Sequence, residues 1–130
     1  MDTYFSKVKE FITELDLMIV KENTESGLFV VENESEGLKN VIIAVSDPII
    51  IIQQHIFDLK EDKIEVLKSL LQKNQDIIHG AFTLDESGKK VMFRDTLQLE
   101  NLDLNELQGS LQSLSLLMTE YAGKILEFSA

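Results

Sequence analysis

The clearest pattern along the chain is an apolar stripe near its end. Leu104, Leu107, Leu111, Leu114, Met118, Tyr121, Ile125 and Phe128 recur at alternating steps of three and four. That period places them on one side of an α-helix and predicts a single long helix ending near Phe128. Its start is marked twice. Asp103 and Glu106 have the spacing of a capping box, and Leu102 with Leu107 that of a hydrophobic staple. Immediately before it, Ile78 to Leu84 and Val91 to Leu99 read as two strands joined by Asp85-Glu86-Ser87-Gly88, with Gly88 free to take positive φ.

Upstream, Tyr4, Phe5, Val8, Phe11, Ile12 and Leu15 form one face of a first helix, with Asp2 or Thr3 as its cap and Asp16 as its end. Leu17 to Lys21 and Leu28 to Glu32 read as a hairpin around the turn formers of Asn23 to Gly27. A polar turn, Glu32 to Gly37, leads into a strand over Leu38 to Val45. Ser46-Asp47-Pro48 then makes a corner before a fourth strand, Ile49 to Phe57. Asp62 with Glu65 repeats the capping-box spacing and opens a middle helix through about Gln75, with Ile64, Leu67, Leu70 and Leu71 as its apolar face. The expected order is α-β-β-β-β-α-β-β-α, an α+β fold with an antiparallel sheet.

Composition narrows the possibilities. A chain of 130 residues fits one domain, residues 1–130, large enough for its own core. The absence of cysteine excludes disulfides and thiolate chemistry. The longest apolar run, Ile49 to Ile52, is too short to span a bilayer, and Met1-Asp2-Thr3-Tyr4 resembles no export signal, so the expected compartment is the cytoplasm. A net charge of −11, from 23 acidic against 12 basic residues, repels nucleic acid and anionic membrane surfaces.

The order of elements is joined by two distinctive stretches. One is the middle helix followed by His79-Gly80-Ala81-Phe82. The other is Arg94-Asp95-Thr96-Leu97-Gln98-Leu99 leading into Asn101-Leu102-Asp103-Leu104-Asn105-Glu106-Leu107. Together they resemble the bacterial YbjN-like domain, which shares the fold of class I type III secretion chaperones of the Tir type. The resemblance covers essentially the whole chain; Ile49 to Phe57 is an extra strand beyond the minimal chaperone pattern. It implies a secretion-chaperone-like fold and a small, acidic, cytoplasmic homodimer that holds an unfolded segment of a partner. It supplies no catalytic residue.

Read residue by residue, the candidate chemistry is thin. Glu32, Glu34 and Glu36 before Gly37 imitate the opening of a calcium loop, but Ile43 occupies the closing ligand position. His55 and His79 have no carboxylate at ligand spacing. Asp95 shares its alternation with Val91, Phe93 and Leu97, which points it inward; a bulge or strand end is expected to turn it out. No cofactor and no metal is implied.

Two stretches point instead to binding. Ile49, Ile50, Ile51 and Ile52 form a continuous apolar run, so both faces of that strand ask for cover, and they are a candidate homodimer contact. Opposite its core stripe, the last helix carries Gly109, Gln112, Leu116, Thr119, Gly123 and Leu126, and no charged residue lies between Leu107 and Thr119. Two interior glycines there permit close approach of another backbone, which makes this face the candidate partner surface. The sequence therefore favours a non-catalytic chaperone-like or adaptor module with itself and an unidentified protein as partners. The alternatives are a ligand-binding domain or enzyme with a pocket of scattered residues, and a regulatory subunit docking one folded partner.

Overall fold

The computed structural model describes residues 2–130, the side chain of Asp2 excepted. Its elements are α1 (Asp2–Glu14), β1 (Met18–Asn23), β2 (Leu28–Asn33), β3 (Leu38–Ser46), β4 (Ile49–Asp58), α2 (Ile64–Asn74), β5 (Ala81–Leu84), β6 (Lys90–Gln98), α3 (Leu104–Glu120) and α4 (Ala122–Ser129). The strands form one antiparallel sheet in the order β1-β2-β3-β4-β6-β5, the α+β architecture expected. Of the two caps expected for α1, Thr3 lies inside the helix, and the Asp2 side chain is outside the described residues. No helix among the described residues is long and apolar enough to cross a membrane.

Strand alternation sorts the sheet into two unlike faces. Phe29, Ile43 and Ile52 stand in one cross-strand row, and all three are fully buried. The helices pack on this side. Phe5 of α1 stacks on Phe29 at 4.3 Å between ring centroids. Phe128 of α4 lies 6.3 Å from Phe57, and Tyr121, between α3 and α4, lies 6.0 Å from Phe82. α2 sits at the same side of the β5 edge, with Val66 and Leu70 buried. Burying a side chain the size of Phe29 is worth roughly 1.5–3 kcal/mol, so this row holds the two layers together.

Among the described residues, no helix packs on the opposite face. Its rows run Val30–Ile42–Gln53–Arg94 and Leu28–Ala44–Ile51–Thr96, and none of these residues is buried. The run Ile49 to Ile52 is thus divided. Ile50 and Ile52 are core, while Ile49 and Ile51 are half-buried on the open face.

Four local expectations need correction. The last helix is two helices, broken at Tyr121 (φ −105°, ψ 8°). Thr119 turns its hydroxyl back onto the Ser115 and Leu116 carbonyls, a pattern that bends helices, and Gly123 adds a poor helix former just beyond. The apolar stripe survives the break, because Ile125 is buried and Phe128 half-buried on the same side. The Asp62–Glu65 box does not form: Lys63 occupies the N-cap position of α2 with no side-chain cap bond. The α2 face also differs, with Ile64 (68% exposed) and Leu71 (71% exposed) left in solvent. Finally, β5 begins at Ala81 rather than Ile78, because the backbone before it is drawn onto α3.

Candidate functional site

That detour builds a groove against α3. The Ser113 hydroxyl of α3 donates to the His79 carbonyl at 2.7 Å and accepts from the His79 amide at 3.3 Å. Gly80, at φ +89°, packs against the Phe93 ring so closely that a Cβ there has no room. Ile77, Ile78 and His79 are thereby held beside α3 across a groove of about 280 Å³. Gly109, Gln112 and Leu116 line its other wall, with Ile77 and Leu117 below and Lys73, Asp76 and Glu120 at the rim. Ile78 is 82% exposed and Leu116 53% exposed, so the groove is flanked by two large apolar side chains in water. Lys73 is engaged internally, its Nζ lying 5.0 Å over the Tyr121 ring. Burial raises the Tyr121 phenol above its ordinary value, and the charge of Glu127 adds to the shift.

Of the residues proposed for the partner face, Gly109, Gln112 and Leu116 come together in this groove. Thr119, Gly123 and Leu126 are exposed but lie outside it, because the break at Tyr121 carries the last two onto a separate helix. The two glycines also differ. A Cβ at Gly109 meets the His79 imidazole at 3.3 Å, so the close approach there is made by this chain's own histidine; Gly123 faces open space. Gln112 also borders a second depression of about 190 Å³, floored by Leu15, Leu17, Leu38 and Leu111. There Ser115 donates to the Glu36 carbonyl at 2.7 Å and ties the polar turn to α3.

A third depression, about 300 Å³ and mainly apolar, lies between α2 and β5, bounded by Leu67, Leu70, Leu71, Phe82, Leu84 and Val91. At its end the Asn74 carboxamide pairs with the edge strand. It accepts from the Phe82 amide at 2.7 Å and donates to the Phe82 carbonyl at 3.3 Å. Sequence reasoning missed this surface, because Ile64 and Leu71 share the helical period of core residues. It also missed Ile78, read as a strand residue.

The titratable candidates fall apart from these grooves or from one another. His55 is exposed and pairs with Asp58 at 2.7 Å, a carboxylate partner that spacing did not reveal. Glu34 and Glu36 sit on a short 3₁₀ turn. No group of three or more His, Cys, Asp or Glu side chains among the described residues is arranged to hold a metal ion. Asp95 does not turn outward. The β4–β6 ladder is regular at Ile52↔Asp95, its only irregularity falling at His55/Phe57. Asp95 therefore stays on the helix side, half-buried, with Oδ2 shielded from solvent and without a hydrogen bond.

A two-layer α+β domain with helices on one face of an antiparallel sheet is a fold this chain shares with type III secretion chaperones. The chain belongs to the CesT_Tir_1 family, whose model matches residues 1–130. Among solved structures, YbjN from E. coli is 12% identical, with a TM-score of 0.68 over 92% of this chain and 91% of that one. SchA in the HopA1–SchA chaperone–effector complex is 13% identical, with a TM-score of 0.67 over 93% and 95%. The Yersinia pestis type III secretion chaperone SycH, solved with a stable fragment of YscM2, is 21% identical, with a TM-score of 0.59 over 97% and 99%. No curated protein matches the chain in sequence.

Proposed function

We propose that this chain is a cytoplasmic, non-catalytic, chaperone-like module that forms a homodimer and holds a partner polypeptide. The observation that carries the reading is the placement of its exposed apolar side chains. Of the eight large apolar side chains exposed among the described residues, four border grooves: Ile78 and Leu116 flank one, and Leu71 and Leu84 border another. Membership of a chaperone family supports it, as does likeness to two chaperones solved with protein partners bound. A net charge of −11 keeps such a surface soluble and disfavours nucleic acid as the partner.

The open sheet face is the candidate dimer contact. Ile49 and Ile51 lie on it, and the row in register with Ile42 has Lys21 at one side and Arg94 at the other. The acidic excess that would oppose self-association is therefore weaker here than over the molecule as a whole. Sedimentation at tens of micromolar, a range where a specific dimer persists, should give twice the 14.8 kDa chain mass. Ile51→Gln should return a folded monomer. Partner holding is tested by affinity capture from the cells that make the chain, with hydrogen exchange on the captured protein. A stoichiometric partner whose bound segment lacks a folded domain is expected. A wild-type monomer removes the dimer, and capture of only a folded, catalytically processed substrate removes the chaperone reading.

A further inference from the structure

We infer that the groove between α3 and the segment Ile77–His79 takes a partner segment in which apolar side chains alternate with lysine or arginine. The inference rests on the partner-holding reading above and names the chemistry of what is held.

The apolar half follows from exposure and from the missing charge. Ile78 and Leu116 stand in water on opposite sides of the groove. No charged residue lies between Leu107 and Thr119, so an incoming segment displaces no strongly hydrated group from that stretch of α3. The groove is also preformed, because the Ser113 clamp on His79 fixes its two walls relative to each other.

The cationic half follows from the rim. Asp76 and Glu120 are both exposed, and neither joins an ion pair among the described residues. The third charged residue of the rim, Lys73, keeps its charge but lies over the Tyr121 ring, so the three together leave the rim with a net charge of −1. What the groove offers an approaching chain is therefore apolar contact beside unpaired carboxylates, within the field of a protein of net charge −11. The same field argues against a second copy as the occupant here, since it would bring −11 towards −11. An anionic segment meets the same repulsion. A segment with apolar anchors between basic residues satisfies both halves.

Three fluorescein-labelled peptides of equal length test this by anisotropy: alternating leucine and lysine, leucine and glutamate, and serine and lysine. The leucine–lysine peptide should bind in the micromolar range, and the other two at least about tenfold more weakly, as expected when anchor and charge are both needed. Leu116→Glu provides the sharpest comparison. It adds negative charge, so non-specific attraction would tighten binding, whereas loss of an anchor should weaken it about tenfold. Leu126→Glu makes the same charge change outside the groove and should leave affinity unchanged. Asp76→Asn with Glu120→Gln should weaken binding about threefold or more and flatten its salt dependence. Ile78→Ser serves as a second anchor variant should Leu116→Glu lose its native circular dichroism. Unchanged or tighter binding by both anchor variants, or equal weakening by Leu126→Glu, overturns the site. Equal binding of the lysine and glutamate peptides overturns the cationic class while leaving partner holding intact. No binding of any peptide removes both.

Discussion

Replacing Gly109 by alanine separates a glycine kept for an internal contact from one that is merely tolerated. Gly109 lies well inside α3, where glycine costs about 1 kcal/mol relative to alanine. The added Cβ would stand 3.3 Å from Nε2 and 3.4 Å from Cδ2 of His79, tight enough that the ring must yield by a few tenths of an ångström. It can do so. The imidazole is exposed and makes no hydrogen bond of its own among the described residues, although the His79 backbone is pinned by Ser113. Displacing it should consume part of the gain, leaving Gly109→Ala more stable by about 0.5 kcal/mol. In a His79→Ala background the obstacle is gone and the full gain of about 1 kcal/mol should appear. Gly123→Ala, with open space around its Cβ but in the first turn of α4, should gain about 0.5 kcal/mol in either background. Urea denaturation followed by far-UV circular dichroism reads these differences as shifts in midpoint at constant slope. A Gly109→Ala effect that is identical with and without His79, or a loss above about 1 kcal/mol in both backgrounds, would refute the reasoning.

Further tests address the edge strand, the inward carboxylate and the hairpin turn. Asn74→Ala removes both bonds to Phe82 and should cost about 1–2 kcal/mol, with the Phe82 amide becoming fast in hydrogen exchange; an amide that stays protected would show that the carboxamide is dispensable. Asp95→Val takes an unpartnered buried oxygen from the helix side of β6 and should stabilise the fold by about 1 kcal/mol. Destabilisation of that size instead would mean that the carboxylate has a partner in the working protein. Asp85 accepts from the Ser87 hydroxyl and the Lys90 amide, which hold its carboxyl below the ordinary value of 3.8. Its contribution is present above that value and lost as pH falls through the lowered one. The gap in melting temperature between wild type and Asp85→Ala should therefore be full at neutral pH and shrink in acid, and a constant gap would count against the turn's role.

Features written within a few residues were the legible ones. The Asp103–Glu106 box forms with both of its hydrogen bonds, and Gly88 takes positive φ in the turn predicted for it. The apolar stripe identifies buried residues even across the unforeseen break at Tyr121, because period is a local property of the chain. What spacing cannot encode is which surface arrives to cover a given face. Ile64 and Leu71 have a core-like period but no neighbour above them. Asp95 alternates inward and stays inward, since the bulge expected to release it falls elsewhere in the ladder. The groove between α3 and Ile77–His79 depends on Ser113 reaching His79, 34 positions away, so Gly109 could be singled out from sequence while the reason for it could not.

The Asn74 carboxamide has a consequence for how copies of the sheet can meet. Strand-by-strand accretion needs two acceptor edges per molecule, one to join and one to be joined. β5 is only four residues long, and its central outward-facing amide and carbonyl are already taken. Among the described residues, only β1 ends the sheet without such a stopper, and its ladder is itself irregular between Ile19 and Lys21. In the language of polymer chemistry the sheet is monofunctional at its edges. Joining through β1 uses up the open edge on both copies, so growth terminates at a pair instead of running on into a ribbon.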